Sequence, residues 1–156
     1  MIRVQREDFD VAGELDALLA GRRDAGGLVS FLGVVREGSG DRRIAAMTLE
    51  HYPGMTEKML GEIEAEARRR WRLTASLVIH RYGRLEPGER IVLVACASAH
   101  RQAAFEACTF LVDWLKTKAP FWKLEETDQG AQWVEARDAD DDAAARWKTG
   151  SPAAAK

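Results

Sequence analysis

The 156-residue chain has 31% charged and 46% hydrophobic residues and a formal net charge of −2. That balance suits one globular domain with its own core, and it provides no general attraction for nucleic acid or an acidic membrane. No apolar run approaches the roughly 20 residues that cross a bilayer. The two cysteines, Cys96 and Cys108, are too far apart for a CxxC site.

Met1–Gln5 reads as a short strand without a signal-peptide pattern, so a cytoplasmic protein is expected. Val11, Leu15, Leu18 and Leu19 recur at helical spacing, and Gly21 is a stop signal. Leu28–Arg36 is apolar and β-branched enough for a buried strand. Glu37–Arg43 is a polar, glycine-rich stretch, expected as a mobile loop, and Ile44–Tyr52 is a second long strand. Met55, Met59, Ile63, Ala67 and Trp71 form an i,i+4 row that predicts a helix over Met55–Trp71. Thr74–Tyr82 and Ile91–Ala97 are strands, separated by the turn Glu86-Pro87-Gly88-Glu89 of type II composition. Ser98 is the expected cap of a helix over His100–Lys118, with Phe105, Cys108, Leu111, Val112 and Leu115 on its buried face. Pro120 ends that helix. Trp122–Thr127 and Gln132–Glu135 pair as a hairpin, and Asp140–Trp147 forms a last helix. Strands and helices mix without strict βαβ alternation, which predicts the α+β class. One domain over 1–148 and a short tail over 149–156 are expected.

The chemistry-bearing residues are cations. Lys116, Lys118 and Lys123 surround Pro120 and the rings of Phe121 and Trp122. A proline-broken helix end anchored by two rings can hold amines in fixed positions, which suits an anionic ligand or proton transfer. Lys118 reads as a helix-end cation facing the negative end of the dipole. Glu125 shares a strand face with Lys123 and can pair with it. His100 and Arg101 open the next-to-last helix, where free backbone N–H groups also favour an anion. Two readings stay open there: an anion site, or a solvent-facing arginine beside a histidine that caps a carbonyl. Arg36 follows Gly33, which permits a close approach, and taken alone it reads as an ordinary strand-end arginine. His51 and His80 lack partners at metal spacing, so no metal site is expected. The two cysteines read as inert core thiols. Bottom-up, Arg36, His100, Arg101, Lys116 and Lys123 suggest a pocket for a phosphate or carboxylate. A non-enzymatic module binding a small phosphate or a carrier protein is the alternative, and nucleic-acid binding is disfavoured by charge.

Six separated segments carry a resemblance: Phe31–Arg36, Leu49–Met55, Val78–Arg81, Ser98–Arg101, Leu115–Lys123 and Trp133–Arg137. In this order they resemble the large, catalytic subunits of molybdopterin synthase, over about residues 1–147. The resemblance implies an α/β-hammerhead domain with antiparallel sheet elements. It implies a homodimer of large subunits within a heterotetramer. The partner would be a small ubiquitin-like sulfur carrier whose C-terminal Gly-Gly bears a thiocarboxylate. The implied reaction adds two sulfurs to cyclic pyranopterin monophosphate (precursor Z), giving a dithiolene in molybdenum cofactor biosynthesis, with no metal or organic cofactor. By motif, Lys116 and Lys123 match catalytic positions. Val34, Val35, Arg36, His100, Arg101, Leu124, Glu125 and Arg137 match substrate-binding or pocket positions. Val34 departs from the lysine the family often has there.

Overall fold

The computed structural model describes residues 1–39, 41–134 and 138–148. Its strands are β1 (Ile2–Gln5), β2 (Gly27–Val34), β3 (Gly38–Ser39), β4 (Arg42–His51), β5 (Ala75–Arg81), β6 (Gly83–Leu85), β7 (Arg90–Ser98), β8 (Phe121–Thr127) and β9 (Gly130–Val134). Its helices are α1 (Val11–Leu19), α2 (Met55–Trp71), α3 (Arg101–Thr117) and α4 (Asp138–Ala145).

Two sheets share these strands, as the α+β expectation requires. The first has the order β1-β5-β7-β2, with β1 parallel to β5 and the other pairs antiparallel. In the second, β4 pairs with β8 on one side and with β3 and β6 as well, and β9 closes the far edge.

β5 is buried on both faces because helices cover both. Side chains alternate across a strand. Leu77, Ile79, Leu93, Ala95 and Ala97 therefore meet Phe9 and Leu18 on the α1 side. Val78, Val94 and Cys96 meet Ala67, Trp71, Ala107, Phe110 and Leu111 from α2 and α3. A third, smaller cluster of Val35, Met47, Leu49 and Leu85 lies at the β4–β6 pair.

α2 occupies the range the periodicity predicts, but its buried stripe is Thr56, Leu60, Ala67 and Trp71, and Met55 is exposed. The Glu57 carboxylate accepts the Gly54 N–H at 2.7 Å and starts the helix. The expected face of α3 holds at Cys108 and Leu111, with Val112 and Leu115 packed half-buried on the same cluster, and departs at Phe105. Ala104, Ala107, Cys108, Phe110 and Leu111 are its buried residues, whereas Phe105 is 59% exposed. Ser98 is the last residue of β7, and His100 occupies the N-cap position without a side-chain cap bond. The sheet runs one residue further than the apolar run indicates, which moves the helix start.

The Glu37–Arg43 stretch is not simply a loop. Gly38 pairs with Arg43 and Ser39 with Arg42, with Gly38 at φ +127°, where a side chain would clash with the Arg42 backbone. β2 ends at Val34, two residues before the predicted end. Gly88 has φ +88° and the Glu89 N–H bonds the Glu86 carbonyl at 3.0 Å, consistent with the predicted turn. Trp147 follows α4 and packs edge-on against Trp71 and Phe110 while donating to Asp113 at 2.7 Å. The expected tail at 149–156 lies outside the described residues.

Candidate functional site

β8 holds the firmest element of the candidate site. Lys123 Nζ lies 3.1 Å from Glu125 Oε1, and Glu125 is buried. The pair forms because residues two apart on a strand share a face. Their partners across the ladder are Leu49 and Met47, two residues of the third cluster. The Lys123 amine is thereby held against a small apolar core with a buried carboxylate beside it. Leu124 is on the opposite face, with Trp122.

The turn leading into β8 is fixed by aromatic stacking. Phe121 lies flat on the His80 ring, with centroids 3.8 Å apart and planes 18° apart. His80 is fixed in turn, because Nδ1–H donates to the Arg81 carbonyl at 2.8 Å. Burial pushes the His80 pKa down to about 4, so the ring stacks in its neutral form near neutrality. His51 is opposite Phe121 in the ladder and packs against Tyr82 with centroids 4.4 Å apart. The lack of partners at metal spacing favours a structural role for His80 over a ligand role, and its burial and stacking agree with that.

Lys116 occupies the last turn of α3 and is exposed. Lys118 caps that helix and its amine lies 5.4 Å from the centre of the Trp114 ring, in keeping with the structural role expected of it. Val34 is exposed at the end of β2, Arg36 is exposed just beyond, and the Val35 side chain between them is in the third cluster. The Val35 N–H donates to the Glu89 carbonyl and its carbonyl accepts from the Gly88 N–H, each at 2.9 Å, so Val35 is buried instead of lining an open pocket. Gly33 does permit a close approach, as expected; the neighbour is the Val92 side chain, which a Cβ would meet at 2.6 Å. Arg137 lies outside the described residues.

The fold gathers these cations into two groups. α3 runs alongside β2 in the same direction: the Cβ position of Gly27 lies 3.9 Å from the Arg101 Cα, and Gly27 is opposite Ser98 in the ladder. Arg36 and the end of α3 therefore share one end of the domain. His100 and Arg101 share the other. Sixteen residues of helix separate His100 from Lys116, about 24 Å at 1.5 Å per residue. One protomer does not bring all five cations to one small ligand.

The described surface has two cavities of note. One of about 480 Å³ is lined by Glu50, His51, Tyr52, Pro53, Trp122 and Trp133, on the face of β8 away from Lys123. The other, about 300 Å³, lies between β2 and α3 and includes Phe31, Phe105 and Val112. Among the described residues no group of His, Cys, Asp or Glu is placed to hold a metal ion, and no helix is long and apolar enough to cross a membrane. Cys96 and Cys108 are free and buried, and a shared hydrogen bond together with burial pushes the Cys96 thiol up.

The described residues form an α+β fold of helices packed on two sheets. The family described as MoaE protein matches residues 4–118, most of the chain. The molybdopterin synthase catalytic subunit of Pseudomonas aeruginosa is 57% identical over 147 residues, covering 94% of this chain and 98% of that one. The corresponding subunit of Mesorhizobium japonicum is 55% identical over 152 residues, 96% of this chain and 94% of its own. Among solved structures, the molybdopterin biosynthesis MoaE protein from Burkholderia ambifaria superposes with a TM-score of 0.82 at 50% identity, covering 96% of this chain and 99% of that one. A complex of subunits 1 and 2 of molybdopterin-converting factor from Helicobacter pylori shares the fold, with a TM-score of 0.72 at 19% identity over 87% of this chain and 91% of that one. The chain belongs to the MoaE family.

Proposed function

We propose that the chain is the catalytic subunit of a molybdopterin synthase. It takes sulfur from the thiocarboxylated C-terminus of a small ubiquitin-like carrier and places two sulfurs on cyclic pyranopterin monophosphate. At each of the two side-chain carbons of the pterin the carrier's sulfur forms a C–S bond as a C–O bond of that carbon breaks, the departing oxygen taking up a proton. Water then cleaves the thioester, leaving sulfur on the pterin and a carboxylate on the carrier. The carrier supplies the nucleophile, so the protein's task is to hold two anions and move protons.

One observation carries this reading. Glu125 holds the Lys123 amine on β8, the strand that follows α3, whose last turn carries Lys116, in a chain more than half identical to a named catalytic subunit. Lys116 and Lys123 take the thiocarboxylate end, with Lys116 the proton-transfer group. Arg36, His100 and Arg101 take the phosphate and pterin. Arg36 and the consecutive residues His100 and Arg101 come from opposite ends of the domain, so a complete site draws His100 and Arg101 from a second copy in a homodimer. A tail threading into the pocket needs apolar contact outside it. Tyr52, Met55, Trp122 and Trp133 offer exposed area beside the strand that bears Lys123. Two buried free thiols fit a reducing, cytoplasmic setting.

The test is a single-turnover reaction of purified chain with thiocarboxylated carrier and precursor, read by mass spectrometry. Two sulfurs in the pterin are expected. A module that only binds would leave the pterin unchanged. Sulfur transfer undiminished by Lys116→Ala would remove the role given to that lysine.

A further inference from the structure

Arg81 is the last residue of β5 and is only 7% exposed, an unusual place for a guanidinium. The ladder between β5 and β7 ends one residue earlier, at His80 and Val92. Beyond that point the Arg81 side chain spans the gap that backbone bonds no longer close. Its Nε donates to the Arg6 carbonyl at 3.0 Å. Its Nη1 donates to the Arg90 carbonyl at 2.9 Å and to Glu89 Oε1 at 3.3 Å. Asp8 lies 3.8 Å from the same Nη1 and also accepts from Arg90 Nε at 2.9 Å. The buried charge is thus paired and hydrogen-bonded, as its desolvation requires.

Glu89 passes this hold to the turn between β6 and β7. Its other oxygen, Oε2, accepts the Glu86 N–H at 2.6 Å, so one carboxylate ties both ends of Glu86–Glu89 to β5. The same turn grips the chain just before Arg36. The Val35 N–H donates to the Glu89 carbonyl and the Gly88 N–H to the Val35 carbonyl, each at 2.9 Å. The β2–β7 register slips between Gly33 and Val34, stepping from Val92 to Arg90, and these two bonds carry the pairing on to Val35. On the far side of Arg36, the Ile44 N–H donates to the Glu37 carbonyl at 2.6 Å. Arg36 is therefore an exposed side chain on a backbone fixed at both neighbours.

We propose that Arg81 and Glu89 are positioning residues for Arg36, setting where its guanidinium meets the substrate phosphate. The proposal rests on the assignment of that phosphate to Arg36 and extends it inward, to two groups that touch no ligand. A pin that served stability alone would gain little, since well-packed apolar residues are often as stable as a buried ion pair. What the pair adds is a fixed direction, and the two-pronged fit of arginine to phosphate depends on direction.

The test measures single-turnover sulfur incorporation with thiocarboxylated carrier over a range of precursor concentrations. Full-length Arg36→Ala, Glu89→Ala and the double variant are compared with the wild type. Arg36→Ala should raise the half-saturating precursor concentration about tenfold, the loss of one charged hydrogen bond. Glu89 is half-buried, so Glu89→Ala leaves the fold intact; it should raise that concentration about fivefold and lower the limiting rate less. The double variant should match Arg36→Ala alone, because a side chain that is absent cannot be misplaced. Independent effects would instead multiply to about fiftyfold. Arg81→Lys keeps the charge without the fork and should share the Glu89→Ala shift. Multiplying effects, or an unshifted Glu89→Ala, overturn the proposal while Arg36 keeps its role. An unshifted Arg36→Ala removes both, and a wild type that transfers no sulfur removes the function along with them.

Discussion

Two inactive chains should restore each other. One chain carries His100→Ala and Arg101→Ala, and the other carries Lys116→Ala. α3 holds these positions about 24 Å apart within a protomer, too far to meet over one pterin. In a dimer with shared sites, a heterodimer has one site built wholly from intact residues and one built wholly from altered ones. Differently tagged chains are co-expressed, the heterodimer is isolated by both tags, and sulfur incorporation is measured in single turnover. Expected activity is about half that of the wild-type dimer; a random mixture, in which half the dimers are mixed, gives about one quarter. Each homodimeric variant alone should lose most of its rate. Full loss of one charged, desolvated contact to a transition state is worth about 3 kcal/mol, or ~100-fold. A heterodimer no more active than the two parents would refute the reasoning, because it would place all the working groups within one chain.

Glu125→Gln keeps the shape beside Lys123 but removes the charge that holds it. Lys123 is 35% exposed, so the pair is screened and the loss is about 1 kcal/mol, roughly fivefold in sulfur-transfer rate with little change in melting temperature. A larger fall in stability than in rate would make Glu125 a folding residue. Phe110→Ala empties a site packed by Trp71, Trp114 and Trp147 and should cost 3–5 kcal/mol, on the order of other buried Phe truncations, by urea denaturation. His80 is held neutral when folded, with its pKa lowered to about 4 from 6.5, so the unfolded chain binds the proton more readily. Its contribution is complete above pH 6.5 and is lost as pH falls towards 4, by up to about 3 kcal/mol. Melting temperature across that window should fall more steeply for the wild type than for His80→Phe, and parallel curves would assign the acid limb to other groups.

The sequence was most legible where one face of an element meets one neighbour. α2 spans Met55–Trp71 in both readings, since caps and periodicity agree there. Phase was harder to read. Phe105 and Phe110 both fit a helical period in α3, and only the sheet beneath decides that Phe110 is buried and Phe105 left out. β3 and β6, of two and three residues, are too short for any alternation to show. The Lys123–Glu125 pair was readable because two residues on one strand need no tertiary information. The separation of Lys116 from His100 was also written in the helix length, but its meaning depends on a second molecule.

That dependence has an electrostatic rationale. Two unit charges 5 Å apart repel by roughly 3 kcal/mol at an effective dielectric near 20. Five cations gathered at one point in a 156-residue domain would oppose its folding. Spread between the two ends of α3, they leave the monomer fold almost unburdened. In the proposed homodimer the repulsion arises only when the two copies meet. A bound phosphate and thiocarboxylate then neutralise the same charges.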